Sequence, residues 1–202
     1  MSLSTEQKFE RMKDIRDKLL NLKESPLYKY RVENKYFPVV GEGSHNAQIM
    51  FIGEAPGQNE AETARPFCGK SGKVLDEMLD SINLNRSDVY ITNIVKDRPP
   101  ENRDPSPEEI KMYAPFLAEQ IEIIQPRVIA TLGRFSMAYI LDLMKCGVPI
   151  TSIGEMHGKE FPGKSDFGVV TVVPLYHPAV ALYNGGNKDI LKEDFQVLKK
   201  YV

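Results

Sequence analysis

Gln48-Ile49-Met50-Phe51-Ile52, running straight into Gly53-Glu54-Ala55-Pro56-Gly57-Gln58-Asn59-Glu60, decides how this chain folds. The first five residues read as a short buried strand. A strand that opens into a loop rich in Gly and Pro is where open α/β folds build ligand sites. Gly53 and Gly57 allow a tight turn and a close approach of backbone to ligand, and Pro56 stiffens the loop. Arg65-Pro66-Phe67-Cys68-Gly69 follows shortly, so the carboxylates of Glu54 and Glu60 and the ring of Phe67 crowd one segment. Such a segment is a site rather than a connector.

Outward from it, strands and helices alternate. Phe9, Met12, Ile15, Leu19, Leu20 and Leu22 recur at helical spacing, which predicts an amphipathic helix over 5–22, followed by a non-periodic stretch, 23–47. Val74, Leu75, Met78, Leu79 and Ile82 predict a helix over 70–82, and 89–95 reads as a second strand. Ser106-Pro107-Glu108-Glu109 is a helix start with a capping box, and that helix runs to about Ile124 before Pro126 stops it. Residues 128–133 form a third strand, 134–144 a helix, 169–176 a fourth strand and 188–201 a closing helix. This order predicts a three-layer α/β/α fold around a central four-stranded parallel sheet. The 202 residues read as a single domain, with 1–37 as an N-terminal helix and lead-in.

Composition bounds the partners. Hydrophobic content of 42% and charged content of 27% are ordinary for a globular protein. A net charge of −2 leaves nucleic acid to be met by a local basic patch. No apolar run is long enough to span a bilayer, and the N-terminus lacks a signal peptide's apolar core, so no membrane partner and a cytoplasmic location are expected. Cys68 and Cys146 read as free thiols in a reducing compartment. His45, His157 and His177 show no metal-ligand spacing, and no metal site is expected.

Strand carboxyl ends of a parallel sheet share one edge. That edge should gather Glu54-Ala55-Pro56-Gly57 from the first strand, Asn93 from the second, Gly133-Arg134 from the third and His177-Pro178-Ala179 from the fourth.

These residues resemble the uracil-DNA glycosylase superfamily, most closely its type-4 branch. The likeness rests on the first-strand loop with Arg65-Pro66-Phe67-Cys68-Gly69, on Thr92-Asn93-Ile94-Val95-Lys96, on the loop from Arg98 to Glu109, and on Tyr176-His177-Pro178-Ala179. It spans about residue 38 to the C-terminus with the motifs in order. One departure is large. The type-4 branch holds an iron–sulfur cluster on four cysteines, and the corresponding positions here are Leu22, Ser25, Asp97 and Tyr113. None supplies a thiolate, so the cluster, and with it any cofactor, is expected to be absent. A second departure follows the histidine motif, where Ala181 and Tyr183 stand in place of the branch's usual Leu and Arg in the DNA-wedging loop.

The chemistry that the resemblance implies can be assigned residue by residue. Excising uracil leaves positive charge on the sugar and negative charge on the base, so a catalyst must extrude the nucleotide, read its edge and stabilise the anion. Phe67 supplies a face for stacking, beside Gly53. Asn93 can accept from uracil N3–H while donating to O4, a pattern that cytosine reverses. His177 can donate to O2, where charge grows. Glu60, by resemblance, approaches base C5 and excludes thymine's methyl group, and Glu54 orients water or favours the cationic sugar. Lys70, Ser71 and Gly72 open a helix whose N–H groups can hold phosphate, with Pro178 and Ala179 on the same side and Lys96, Arg98 and Arg103 adding charge to it. His45 and His157 are assigned structural or exposed roles, and Lys188, Lys192, Lys199 and Lys200 a solvated helix face. The expected activity is a monofunctional, monomeric uracil-DNA glycosylase acting on uracil-containing DNA. Alternatives are a glycosylase for another deaminated base, such as hypoxanthine, and a catalytically silent nucleic-acid-binding homologue.

Overall fold

Each residue of the 49–53 and 128–132 strands is buried, as strands covered on both faces require. A computed structural model describes residues 3–183 and 186–202. In it the side chains of successive strand residues part to opposite faces. Met50, Ile52 and Ile129 join one apolar cluster, while Ile49, Phe51, Val128 and Ala130 join the other.

Among the described residues the strands are β1 (Glu42–Gly43), β2 (Ile49–Gly53), β3 (Tyr90–Asn93), β4 (Val128–Leu132), β5 (Phe161–Ser165) and β6 (Gly168–Leu175), in the sheet order β1-β3-β2-β4-β6-β5. β3, β2, β4 and β6 are mutually parallel, as expected. The sheet is nonetheless six-stranded, not four-stranded, because β1 and β5 add antiparallel edges. Neither edge strand carries a readable pattern: β1 is two residues long, and β5 contains Pro162, Gly163 and Lys164.

The helices are α1 (Thr5–Leu20), α2 (Tyr28–Glu33), α3 (Gln58–Thr63), α4 (Lys70–Asp80), α5 (Pro107–Ile124), α6 (Arg134–Leu143), α7 (Ile153–Met156), α8 (Val180–Tyr183) and α9 (Gly186–Gln196). The 23–47 stretch therefore holds α2 and β1, which sequence periodicity did not reveal. The closing helix is shorter than expected, and its last residues tighten into a 3-10 turn, Val197–Tyr201. Ser106 and Glu109 do form the reciprocal capping box at the start of α5. Apolar residues of α1, α5 and α6 cover one face of the sheet, and those of α4 and α9 cover the other.

The chain moves from β2 outward to β3 and then crosses back to β4 on β2's other side. That reversal leaves a crevice beyond the carboxyl ends of β2 and β4, the usual ligand position in an open α/β sheet. Beyond Asn93 the chain leaves the ladder but stays beside β2, since Ile94 and Val95 N–H donate to the carbonyls of Gly53 and Glu54.

Candidate active site

Gly53 pairs in register with Asn93 at the carboxyl ends of β2 and β3. A Cβ on Gly53 would overlap Asn93 Oδ1 and fall 2.7 Å from Phe67 Cζ. The glycine is therefore required by space. Neither Gly53 nor Gly57 has a positive φ, and at Gly57 too space is the constraint, a Cβ there falling 2.7 Å from Glu60 Oε2. Asn93 is 2% exposed. Its side-chain amide makes no hydrogen bond among the described residues and is not sealed in the core, so it is open to a ligand at the sheet edge.

Phe67 sits with φ +47, in the left-handed region that a bulky residue adopts only under constraint. Two neighbours impose it. Gly72, in the first turn of α4, is packed so tightly under the Phe67 carbonyl that a Cβ would overlap it. Glu60 Oε1 accepts from the N–H groups of Cys68 and Gly69, each at 3.2 Å. Glu60 thus holds an anion at the N-terminus of α4 while clamping the residue after Phe67.

His177 follows β6 and faces Phe67, with ring centroids 5.7 Å apart and planes tilted by 34°. Its Nδ1 accepts from Ala179 N–H at 3.2 Å. Burial holds the imidazole below its ordinary pKa, with the Glu60 carboxylate opposing. A neutral ring whose Nδ1 is an acceptor carries its proton on Nε2.

Glu54 and His177 line one cleft of ≈ 150 Å³ with Ala55, Gly57, Asn102 and Asp104. Burial raises the Glu54 carboxyl to about 7, with Asp104 adding and Arg134 opposing. Asp104 and Arg134 form an exposed ion pair at 3.4 Å. Their pairing was not read from sequence, since Asp104 lies in the loop before α5 and Arg134 opens α6 after β4. A larger cleft of ≈ 560 Å³ lies by α1, lined by Phe9, Met12, Phe37 and Val40. It is mostly apolar and gathers no comparable catalytic set, so the sheet-edge cleft is the better candidate. Among the described residues no group of three or more His, Cys, Asp or Glu stands where it could hold a metal ion.

The basic edge needs correction. Lys96 is fully buried, its Nζ donating to Thr92 Oγ1, Asn93 O and Gln120 Oε1 at 2.6, 2.7 and 2.6 Å. Arg98 is buried against Tyr36 OH and Asn102 Oδ1, and Arg103 pairs with Glu109. Lys96 and Arg98 are thus withdrawn from phosphate, whereas Arg103 stays half exposed beside Glu109. Lys70 remains exposed at the start of α4, with Ser71 beside it, whereas Gly72 is buried and seats Phe67. Pro178 is buried and Ala179 orders His177. His157 has a structural partner, its Nδ1 lying 2.8 Å from Asp194 Oδ2, and His45 packs beside Phe9 and Tyr90. Ser136 donates to Gly133 O. Of the lysines assigned to a solvated face, Lys188 and Lys200 form exposed pairs with Glu77 and Glu160.

Residues 40–199 match the family described as the uracil DNA glycosylase superfamily. The chain is 43% identical over 190 residues to the type-4 uracil-DNA glycosylase of Sulfurisphaera tokodaii, covering 94% of this chain and 84% of that one. It is 40% identical over 187 residues to the type-4 uracil-DNA glycosylase of Archaeoglobus fulgidus, covering 93% and 91%. To the type-5 uracil-DNA glycosylase of Pyrobaculum aerophilum it is 30% identical over 164 residues, covering 74% and 69%.

Proposed function

The chain belongs to the uracil DNA glycosylase superfamily, and from that membership and the site's geometry we infer that it hydrolyses the N-glycosidic bond of uracil in DNA, leaving an abasic site. The observation that carries the reading is the amide of Asn93, without a hydrogen bond among the described residues and set over Gly53 beside the ring of Phe67. An amide offers one acceptor and a donor pair, which match uracil N3–H and O4. Cytosine would leave both of those buried groups facing their own kind, a mismatch that rejects it strongly.

In this reading Phe67 stacks on the flipped base, offsetting part of the cost of flipping. His177 donates Nε2–H to O2 as the bond to the sugar breaks, so the departing base is stabilised by a neutral donor already in place. Glu54 carries negative charge toward the cationic sugar or the attacking water. Glu60 excludes a substituent at C5. Lys70 and Ser71 meet phosphate at the start of α4, and the exposed Leu182 and Tyr183 at the end of α8 supply apolar surface to the opened stack.

Water alone completes the reaction, without a metal or cofactor. The strand is left uncut, because among the described residues no lysine lines the cleft that Glu54 and His177 share and so none stands ready to form a Schiff base. The protein acts as a monomer and, with Cys68 and Cys146 both free, in a reducing cytoplasm.

The test is excision from end-labelled single- and double-stranded oligonucleotides carrying uracil or hypoxanthine, followed by alkali. Uracil-dependent cleavage at catalytic enzyme levels, lost in His177→Ala, is the expected result. Release of hypoxanthine alone would change the substrate. Retention of DNA with release of neither base would replace the enzyme with a binding module.

A further inference from the structure

Three consecutive ionisable residues, Lys96, Asp97 and Arg98, are buried, at 0%, 1% and 9% exposure. Burying charge is costly unless each group is paired and hydrogen-bonded. Here each is bound to a different part of the fold, and the chain that continues from them is the wall of the catalytic cleft, with Pro99, Asn102, Arg103 and Asp104.

Asp97 is the centre of the most extended of these linkages. Its Oδ1 and Oδ2 accept from Arg31 Nη1 at 3.2 and 3.0 Å, and Oδ2 also accepts from Tyr113 OH at 2.5 Å. The Tyr113 hydroxyl lies 2.6 Å from Ser25 Oγ, which in turn accepts from Leu27 N–H. Arg31 also donates to the carbonyls of Leu19 and Leu20 at the end of α1, each at 2.9 Å. Four side chains therefore join the end of α1, the 25–31 segment, α5 and the segment after β3.

Ser25, Asp97 and Tyr113 are three of the four positions where the type-4 branch carries cluster cysteines, and the Tyr113 hydroxyl is hydrogen-bonded to both of the others. The fourth, Leu22, packs against the apolar cluster that includes Tyr113. The positions thus converge in space, yet the groups do not fit an iron–sulfur cluster. Such a cluster is held by thiolates, and these side chains are a hydroxyl, a carboxylate, a phenol and a hydrocarbon whose polar atoms already satisfy one another. The two thiols stand elsewhere: Cys68 beside Thr63, and Cys146 after α6.

We propose that Arg31, Asp97, Tyr113 and Ser25 form a metal-free staple in which Asp97 is a positioning residue, holding the 98–104 wall of the cleft by hydrogen bonds where a cluster would hold it by thiolates. The staple explains how a loop containing Pro99, Pro100 and Pro105 keeps Asp104 near Glu54. Arg98 adds a local clasp to Tyr36, and Lys96 anchors the carbonyl of Asn93 to α5 through Gln120.

The test uses the full chain and does not depend on which base is excised. Protein purified anaerobically from iron-replete cells is assayed for iron and acid-labile sulfide. Activity with neither element present is expected, and stoichiometric iron and sulfide would overturn the proposal. Asp97→Asn and Tyr113→Phe then each remove a partner with little change of shape. Each should lower Tm by about 5–15 °C, as breaking a buried pair does in a chain of this size. Amide exchange should quicken in 97–104 while β2 and β4 keep their protection, and KM for excision should rise about tenfold with kcat changing less. Unchanged exchange and KM in both variants would reduce Asp97 to an ordinary buried residue. Should Asp97→Asn not fold, Tyr113→Phe and the milder Ser25→Ala carry the same readouts.

Discussion

The backbone N–H of Ala179 donates to Nδ1 of His177 at 3.2 Å, and this single contact selects the tautomer of the site histidine. With Nδ1 occupied as an acceptor, Nε2 holds the proton and faces the cleft's chemistry as a neutral donor. Burial keeps the ring from protonating at neutral pH, where an imidazolium would lose the Ala179 bond. His177→Ala should lower kcat about 10²–10³-fold, the usual cost of one such donor. Nitrogen NMR of the ring should show Nε2 protonated and Nδ1 bare at neutral pH; the opposite tautomer would remove the donor role.

Gly53→Ala tests the crowding at the ends of β2 and β3. The new methyl group must displace Asn93 Oδ1 and the Phe67 ring, the groups assigned to read and stack the base. Excision should fall about 100-fold, since a displacement near 1 Å in a reacting site costs about that much. Circular dichroism should stay unchanged. Asn93→Ala should reduce excision comparably, and full activity in both variants would sink the base-pocket assignment.

Glu54 gives a pH signature. Its carboxyl is raised from 4.5 to about 7, so kcat/KM should climb as pH rises through about 7 if the carboxylate is the working form. The climb should vanish in Glu54→Gln. The stability effect runs in the other direction. A folded-state value above the unfolded one contributes stability that is complete below about 4.5 and lost as pH rises through about 7. Glu54→Gln should therefore be more stable than its parent in mild base and no more stable in acid, as measured by Tm across that range.

Glu60→Ala separates two roles in one residue. Losing the acceptor for Cys68 and Gly69 N–H frees the Phe67 segment, and uracil excision should fall about tenfold, the equivalent of about 1–2 kcal/mol for two amides left unpaired. Removal of its bulk should also admit thymine, read as release from a T-containing duplex. Undiminished rejection of thymine would confine Glu60 to holding the loop.

Much of this protein was legible before any coordinates. Continuous apolar runs marked the four parallel strands and a period of 3.6 the long helices, because burial on two faces leaves an unbroken apolar run such as 49–52. The same reasoning placed Glu54, Asn93, Gly133 and His177 on one edge, since parallel strands end together. The edge strands were invisible because two residues, or five broken by Pro and Gly, carry no period. The basic residues after β3 misled for a related reason: a local reading gives Lys, Asp and Arg to solvent, and only distant partners can reverse that.

Local sequence therefore determined what depends on neighbours in the chain: the helix caps, the buried strands, the order of motifs and the types of chemical group at the site. Tertiary structure alone decided what depends on distant partners. It turned Lys96, Asp97 and Arg98 inward by supplying Gln120, Arg31, Tyr113 and Tyr36 as their partners. It bent Phe67 to a positive φ by bringing Gly72 beneath it. Burial and charge there depend on contacts as far apart in sequence as Arg31 and Asp97, and a hydrogen bond across 66 residues leaves no mark on the residues in between.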